Sequence, residues 1–408
     1  MSKPAVKMRF QHLLDNFDLE AQEFADNFDE VCEEIHQGHP ILRSERYGGY
    51  WVVTGFDDVR KITLDYQTWT NTNGYEPLRM GDDNARLYPL EIDPPYQTRW
   101  RQGLGKYFAP NVIQARQESI RHFVNGLIDN IIETGQCDFI DAFAAGLPGR
   151  VFFSTMLGVP LSDLPYLQGA ADQAVRGPME GRMEGWNKVG AYLNDYMLER
   201  QKQRPRGDFT DAIIEGVELD NGEPAPWLHK VFVMVDMVAG GLATTTFLLG
   251  GLAHFLGTHP DERKRLSDDP DLRANAVEEL IRYYSSILAL GRTATRDTEA
   301  CGQPIKEGEM IMLAYAVASR DPREFANPSR IDIERQIGTQ IAFGYGPHRC
   351  IGNQLARLNT IVAMDEILRR MPDIEVPDGA GPKWFHSTVT RDILSLPVVF
   401  TPGRKEQG

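Results

Sequence analysis

The chain has 408 residues, of which 42% are hydrophobic and 25% charged, enough apolar residues to bury a large core. A formal net charge of −15 argues against general nucleic-acid binding. Its four cysteines are scattered, which argues against a disulfide framework and for a reducing compartment.

The first residues contain no long apolar run, so neither a secretory signal nor an amino-terminal membrane anchor is expected, and the expected location is cytoplasmic. Residues 50–64 read as a strand, Trp51-Val52-Val53-Thr54-Gly55, followed by a short helix. The run Asp93-Pro94-Pro95-Tyr96-Gln97-Thr98-Arg99-Trp100-Arg101 opens a helix with prolines in its first turn. Residues 110–215 read as a series of amphipathic helices joined by short breaks.

The most hydrophobic stretch lies between Pro226 and Pro260 and is long enough to be mistaken for a membrane span. Asp236, His254 and, over residues 227–256, four glycines and three threonines make that reading costly. A single helix through the centre of a globular protein fits better, because such a helix is apolar all round. Asp236, Gly240 and Thr244 recur every four residues and share a face. Glycines beside threonines make a thin helix wall that bears hydroxyls and leaves room for a diatomic ligand on a metal. The alternative is a helix crossing, where small residues allow close packing. Further on, Glu279 and Arg282 are three apart on one helix face and can pair. Residues 293–315 and 385–400 contain short β-like runs. With no internal repeat and no glycine- or serine-rich linker, the chain reads as one domain over 1–408, mainly α with a small β region.

The loop Phe343-Gly344-Tyr345-Gly346-Pro347-His348-Arg349-Cys350-Ile351-Gly352 carries the most information. Gly346 and Gly352 are expected to let the backbone pass close to a flat object. A helix starting just after Cys350 would lower its thiol pKa and favour thiolate. A lone thiolate beneath a planar group is what a heme iron takes as its axial ligand. A buried structural cysteine is the plain alternative on Cys350 alone. Zinc suits the loop poorly, since only His348 lies near and zinc wants about four ligands. Gly344-Tyr345-Gly346 does not extend to a dinucleotide-binding GxGxxG.

Phe343, both glycines, His348 and Cys350 together resemble the cysteine-ligand signature of the cytochrome P450 family. The resemblance extends over about residues 45–400, and its closest flavour is the soluble bacterial camphor-hydroxylase-like members. It implies the fold of that family, one domain with a long distal helix over heme b, residues 1–44 forming an amino-terminal extension and first helix, and no fused reductase. It implies Cys350 as the iron ligand, with Phe343 and Gly352 in the same loop. Arg101, Gln97, Arg292 and His348 fall at positions that contact the heme propionates, although the family often has histidine where this chain has Gln97. Ala239-Gly240-Gly241-Leu242-Ala243-Thr244 resembles the oxygen-binding groove, with Gly240 and Thr244 as catalytic positions. The acidic residue that usually precedes the groove threonine is Ala243 here, which puts the usual proton relay in doubt. Asp236, counted with Gly240 and Thr244 as a catalytic position, is expected to line the substrate side and anchor a hydroxyl or cationic group, the alternative being a bond to a nearby arginine or water without substrate contact. Glu279, Arg282 and Arg335 match a buried structural cluster.

The implied activity is hydroxylation or dealkylation of a small, mainly hydrophobic molecule, a terpenoid or an aromatic, using dioxygen. Electrons would come from a separate ferredoxin, of the 2Fe-2S type, with its NAD(P)H-dependent reductase. Arg349, Arg357, Arg99 and Lys106 form a candidate docking patch for it. No nucleic-acid or membrane partner is expected. The alternatives are a peroxide-driven or non-hydroxylating heme-thiolate enzyme, or a heme-bearing binding or sensor protein. Pocket walls are expected near 75–90, 175–183, 236–240, 286–290 and 388–390. A lid is expected between Val175 and Trp186, with Gly177, Pro178, Gly181 and Gly185 as its mobile points.

Overall fold

The computed structural model describes residues 9–77, 86–176 and 179–406. Its elements, in chain order, are β1 (Ile41–Ser44), β2 (Tyr50–Val53), α1 (Phe56–Leu64), β3 (Trp69–Thr70), α2 (Tyr96–Gly105), α3 (Gln117–Ile131), α4 (Leu164–Arg176), α5 (Met179–Gln201) and α6 (Trp227–Thr258). There follow α7 (Leu272–Tyr283), β4 (Leu290–Ala294), β5 (Met310–Leu313), α8 (Asn353–Arg370) and a hairpin of β6 (Lys383–His386) with β7 (Arg391–Ser395). Shorter helices and strands connect them. The architecture is mainly helical with a small β region, as the sequence predicts.

The principal sheet has five strands in the order β1-β2-β5-β4-β3. Only the β2–β5 pair is parallel, with Trp51 opposite Ile311 and Val53 opposite Leu313. Both faces are covered. Val52 and Met312 pack with the amino-terminal helices, while Val53, Ile311 and Leu313 pack with α1. Burial on both faces explains why β2 and β5 read as continuous apolar runs. Residues 9–44, expected as an extension and first helix, hold three short helices and β1. Phe10, Phe17, Phe24 and Phe28 bury their rings there, and Asp29 accepts from Tyr283 Oη at 2.6 Å and Arg320 Nε at 2.7 Å. This segment is part of the core because its aromatic residues cover the sheet.

Helix α6 has 32 residues and so spans about 48 Å. It is the one described helix long and apolar enough to cross a membrane, and most of its apolar window is buried among other elements. It packs on α5, α7, α8 and β7. Pro260 opens the next helix after its end at Thr258. Two of its glycines are packing glycines. A Cβ on Gly250 would fall 2.6 Å from Ile140 Cδ1, and one on Gly251 would fall 2.5 Å from Tyr284 Cγ.

The expected lid is largely helical. Helix α4 ends at Arg176 and α5 begins at Met179, and the two pack along each other. Gly177 and Pro178 lie outside the described residues, as do residues 78–85 of the expected pocket wall. Gly185 lies within α5 against the Ala174 backbone, where a Cβ has no room. It serves helix contact there, not hinge motion.

Candidate active site: a thiol, two unpaired arginines and an open helix wall

Cys350 reaches the site on a tight loop. Gly344 (φ +72°) and Gly346 (φ +66°) both take left-handed backbone, and a Cβ on Gly346 would fall 2.9 Å from the Thr63 carbonyl oxygen. The Cys350 N–H donates to the Phe343 carbonyl at 2.7 Å, closing the loop. Gly352 has an ordinary φ of −80°, and a Cβ there would sit 3.9 Å from Cys350 Sγ, a normal contact distance. Gly352 also caps α8, which starts at Asn353.

The Cys350 sulfur is open to the cleft yet lies deep below the surface. That depth pushes its thiol pKa up. The Gly352 N–H and the charges of Arg101, Arg357 and Arg349 pull the other way without winning. The N–H at the helix start does favour thiolate, as the sequence suggests, but burial outweighs it. A bound metal cation would complete the deprotonation.

Beside the thiol, three nitrogen-bearing side chains converge. Burial, then the charges of Arg292 and Arg101, hold the His348 imidazole well below its usual pKa. Arg292 is buried, spending one N–H on the Gly291 carbonyl at 2.7 Å. Burial also lowers Arg101, opposed by the fields of Cys350 and Asp236. Among the described residues, neither arginine makes an ion pair with a carboxylate. Buried Arg292 and half-buried Arg101, which gives one N–H to the Arg349 carbonyl, carry an uncompensated cost without an anion. An acid with two carboxylates, placed over the thiol, satisfies both. Gln97 Nε2 donates to the Pro347 carbonyl at 2.6 Å and so braces the cysteine loop.

The other wall is the centre of α6. Gly240 is exposed and Gly241 to Thr244 are half-buried, within a helix that is otherwise largely buried. Nothing lies within 4 Å of a Cβ built on Gly240, which separates an open groove from the helix crossing made by Gly250 and Gly251. Thr244 Oγ1 donates to the Gly240 carbonyl at 2.7 Å, leaving its oxygen able to accept from water. On the far side of the helix, Ala243 and Thr246 meet Gln168 and Asp172 around a cavity of about 20 Å³, room for one water. Two turns before Thr244, Asp236 is buried, and its carboxyl accepts from the Leu90 N–H. Burial, then Glu91, push that carboxyl well above its usual range. Glu91 and the neighbouring Glu76 and Tyr75 were invisible as a group in the sequence, where sixteen positions separate Tyr75 from Glu91.

Behind the thiol, Glu279 sits between Arg282 and Arg335, as the motif spacing suggests. Arg335 Nε donates to both Glu279 oxygens at 3.1 Å, and the Asp332 N–H adds a bond of 2.9 Å. The expected docking patch is reduced by local pairing. Arg99 pairs with Asp220 and Arg357 with Glu278, leaving Arg349 and Lys106. The prolines expected in the first turn of α2 precede it, with Pro95 at the cap position.

A mostly helical fold that aims one thiol at an open helix wall, under two arginines awaiting an anion, defines a heme-thiolate site. A protein-family model described as Cytochrome P450 matches residues 164–392. The polyketide biosynthesis cytochrome P450 PksS of Bacillus subtilis is 30% identical over 397 residues, covering 92% of this chain and 96% of that protein. A steroid C26-monooxygenase of Mycolicibacterium smegmatis is 29% identical, covering 91% of this chain and 92% of that protein. Among solved structures, CYP108D1 from Novosphingobium aromaticivorans matches with a TM-score of 0.84 at 26% identity, covering 94% of this chain and 97% of that one. The chain belongs to the cytochrome P450 family, whose members bind heme b and act as monooxygenases.

Proposed function

We propose that this enzyme oxidises a mainly apolar molecule bearing one polar handle, with Cys350 as iron ligand and Arg101, Arg292 and His348 holding the heme carboxylates. The observation that carries the reading is the pair of arginines, Arg292 buried and Arg101 half-buried, without carboxylate partners beside a thiol open to the cleft. Heme bound there supplies dioxygen activation, and a thiolate ligand donates electron density that favours O–O cleavage.

The chain's own residues do the rest. Gly240 keeps the groove wall open, and the Thr244 hydroxyl oxygen would accept from a water beside bound heme. Asp236, tilted towards its neutral form, presents a hydroxyl or carbonyl to the substrate's polar handle. A terpenoid or an aromatic is the substrate class proposed, its polar handle meeting Asp236. The names of the relatives, polyketide biosynthesis and steroid oxidation, widen that class to larger apolar skeletons. Electrons come from a ferredoxin, and the cations free to meet it are Arg349 and Lys106.

Reduced protein under carbon monoxide is expected to show the Soret band of thiolate-ligated iron, and Cys350→Ser is expected to lose it. A folded, heme-supplied parent without that band overturns the ligand assignment. Product formed with ferredoxin, reductase and NADH supports the oxygenase. Turnover with peroxide alone favours a peroxide-driven enzyme, a reading that Ala243 makes specific. Heme binding with no turnover of any substrate identifies a sensor.

A further inference from the structure

The side chain that decides what His348 can do is Asn71, two residues past the start of β3. Asn71 Nδ2 lies 3.2 Å from Asp93 Oδ1 and 3.0 Å from His348 Nε2. The Asn71 backbone N–H donates to the same Asp93 oxygen at 3.1 Å, and the Thr70 hydroxyl donates to the other. Asn71 is buried, so its amide has few other partners to turn towards.

The orientation of that amide is decided by Asp93. A carboxylate accepts only, so the end of the amide facing it must be the NH2 group. Turning the amide over would set its oxygen against the Asp93 oxygen. The same NH2 group carries a second hydrogen, and that hydrogen points at His348 Nε2. Nε2 is therefore an acceptor, and the ring's single N–H is placed on Nδ1. Among the described residues Nδ1 has no hydrogen-bond partner.

We propose that Asn71, oriented by Asp93, is a positioning residue that holds His348 as its Nδ1–H tautomer, so that a neutral donor stands beside Arg101 and Arg292 at the anion-binding edge of the heme site. This rests on the heme reading above. A neutral donor there adds a hydrogen bond to a carboxylate without adding a third positive charge beside two arginines. Outer-shell partners commonly set which nitrogen of a histidine carries its proton.

The test reads the tautomer directly. Protein with 15N-labelled histidine is examined in the diamagnetic ferrous carbon-monoxide form by long-range 1H–15N correlation. The His348 signals are assigned by their loss in His348→Gln. The expected result is a protonated Nδ1 and a bare Nε2 in the parent. Asn71→Asp replaces the donor with an acceptor and is expected to move the proton to Nε2. It is also expected to weaken heme binding about 3- to 10-fold, the worth of one hydrogen bond. Should Asn71→Asp fail to fold, Asp93→Asn serves instead, because it frees the amide to turn and should give a mixture of tautomers. A parent with its proton on Nε2, or a folded variant whose tautomer is unchanged, overturns the proposal. A parent that binds no heme defeats the heme reading separately, since the tautomer is then read in the heme-free protein.

Discussion

Arg282 grips Glu279 through two hydrogen bonds of 2.8 Å, and neither side chain has any exposed surface. The remaining three Arg282 N–H groups reach the carbonyls of Ser319 and Pro328 at 2.9 Å and of Arg330 at 3.3 Å, tying α7 to the segment before the cysteine loop. Removing one partner strands the other as a buried charge. Arg282→Ala is therefore expected to destabilise the protein by about 3–5 kcal/mol. Chemical denaturation of purified variants measures this. A loss below about 1 kcal/mol, the range of an exposed pair, would count against the buried arrangement.

Arg292 should show opposite effects with and without heme. It is buried beside His348 and lacks a carboxylate. Arg292→Leu removes a costly charge from the heme-free protein, so that form should melt no earlier than the parent. The same change removes a charge-assisted hydrogen bond worth about 1.5–3 kcal/mol to a carboxylate, so heme should leave about 10- to 100-fold faster. Heme transfer to an excess of apomyoglobin gives the rate. Unchanged transfer would mean that Arg292 does not touch the cofactor.

The glycines of α6 should separate by sign. Gly240→Ala meets open space, and replacing glycine in a helix interior gains about 0.5–1 kcal/mol. Gly251→Ala drives a methyl into the Tyr284 ring and is expected to cost about 1–3 kcal/mol. Gly240→Leu should fold and yet slow carbon monoxide binding. Thermal melts and flash photolysis measure the two effects. Equal stability changes at the two glycines would contradict the open groove.

Glu76 gives a pH dependence with a definite sign. Burial, then Glu91, raise its carboxyl from 4.5 to about 7, against the opposing effects of Tyr75 and Arg182. Between those values the folded state binds more protons than the unfolded one. Stability contributed by this group is therefore fully present below pH 4.5 and is lost as pH rises towards 7. Glu76→Gln should flatten that fall. Melting curves of parent and variant across this window should converge at its acid end and separate with rising pH. Parallel curves would remove Glu76 from the titration.

Much of this protein was legible before any coordinates. The glycine-framed Cys350 loop, the long apolar helix with Gly240 and Thr244, and the Glu279–Arg282 spacing are local patterns. They survive in one dimension because turn geometry and helix period act over a few residues. Arg335, 56 residues beyond Glu279, is reached only through the family resemblance. Other features needed the chain to be folded. Which glycines of α6 face a cleft and which face a neighbour depends on Ile140 and Tyr284, far away in sequence. The thiol of Cys350 is governed by depth as well as by its helix, and depth is a property of the whole core. Asn71 lies 277 residues from His348, and no period or motif links them. Short-range backbone chemistry is written in the order of residues. Burial, pairing of charges and the placement of a proton on one nitrogen are set by which surfaces the fold brings together.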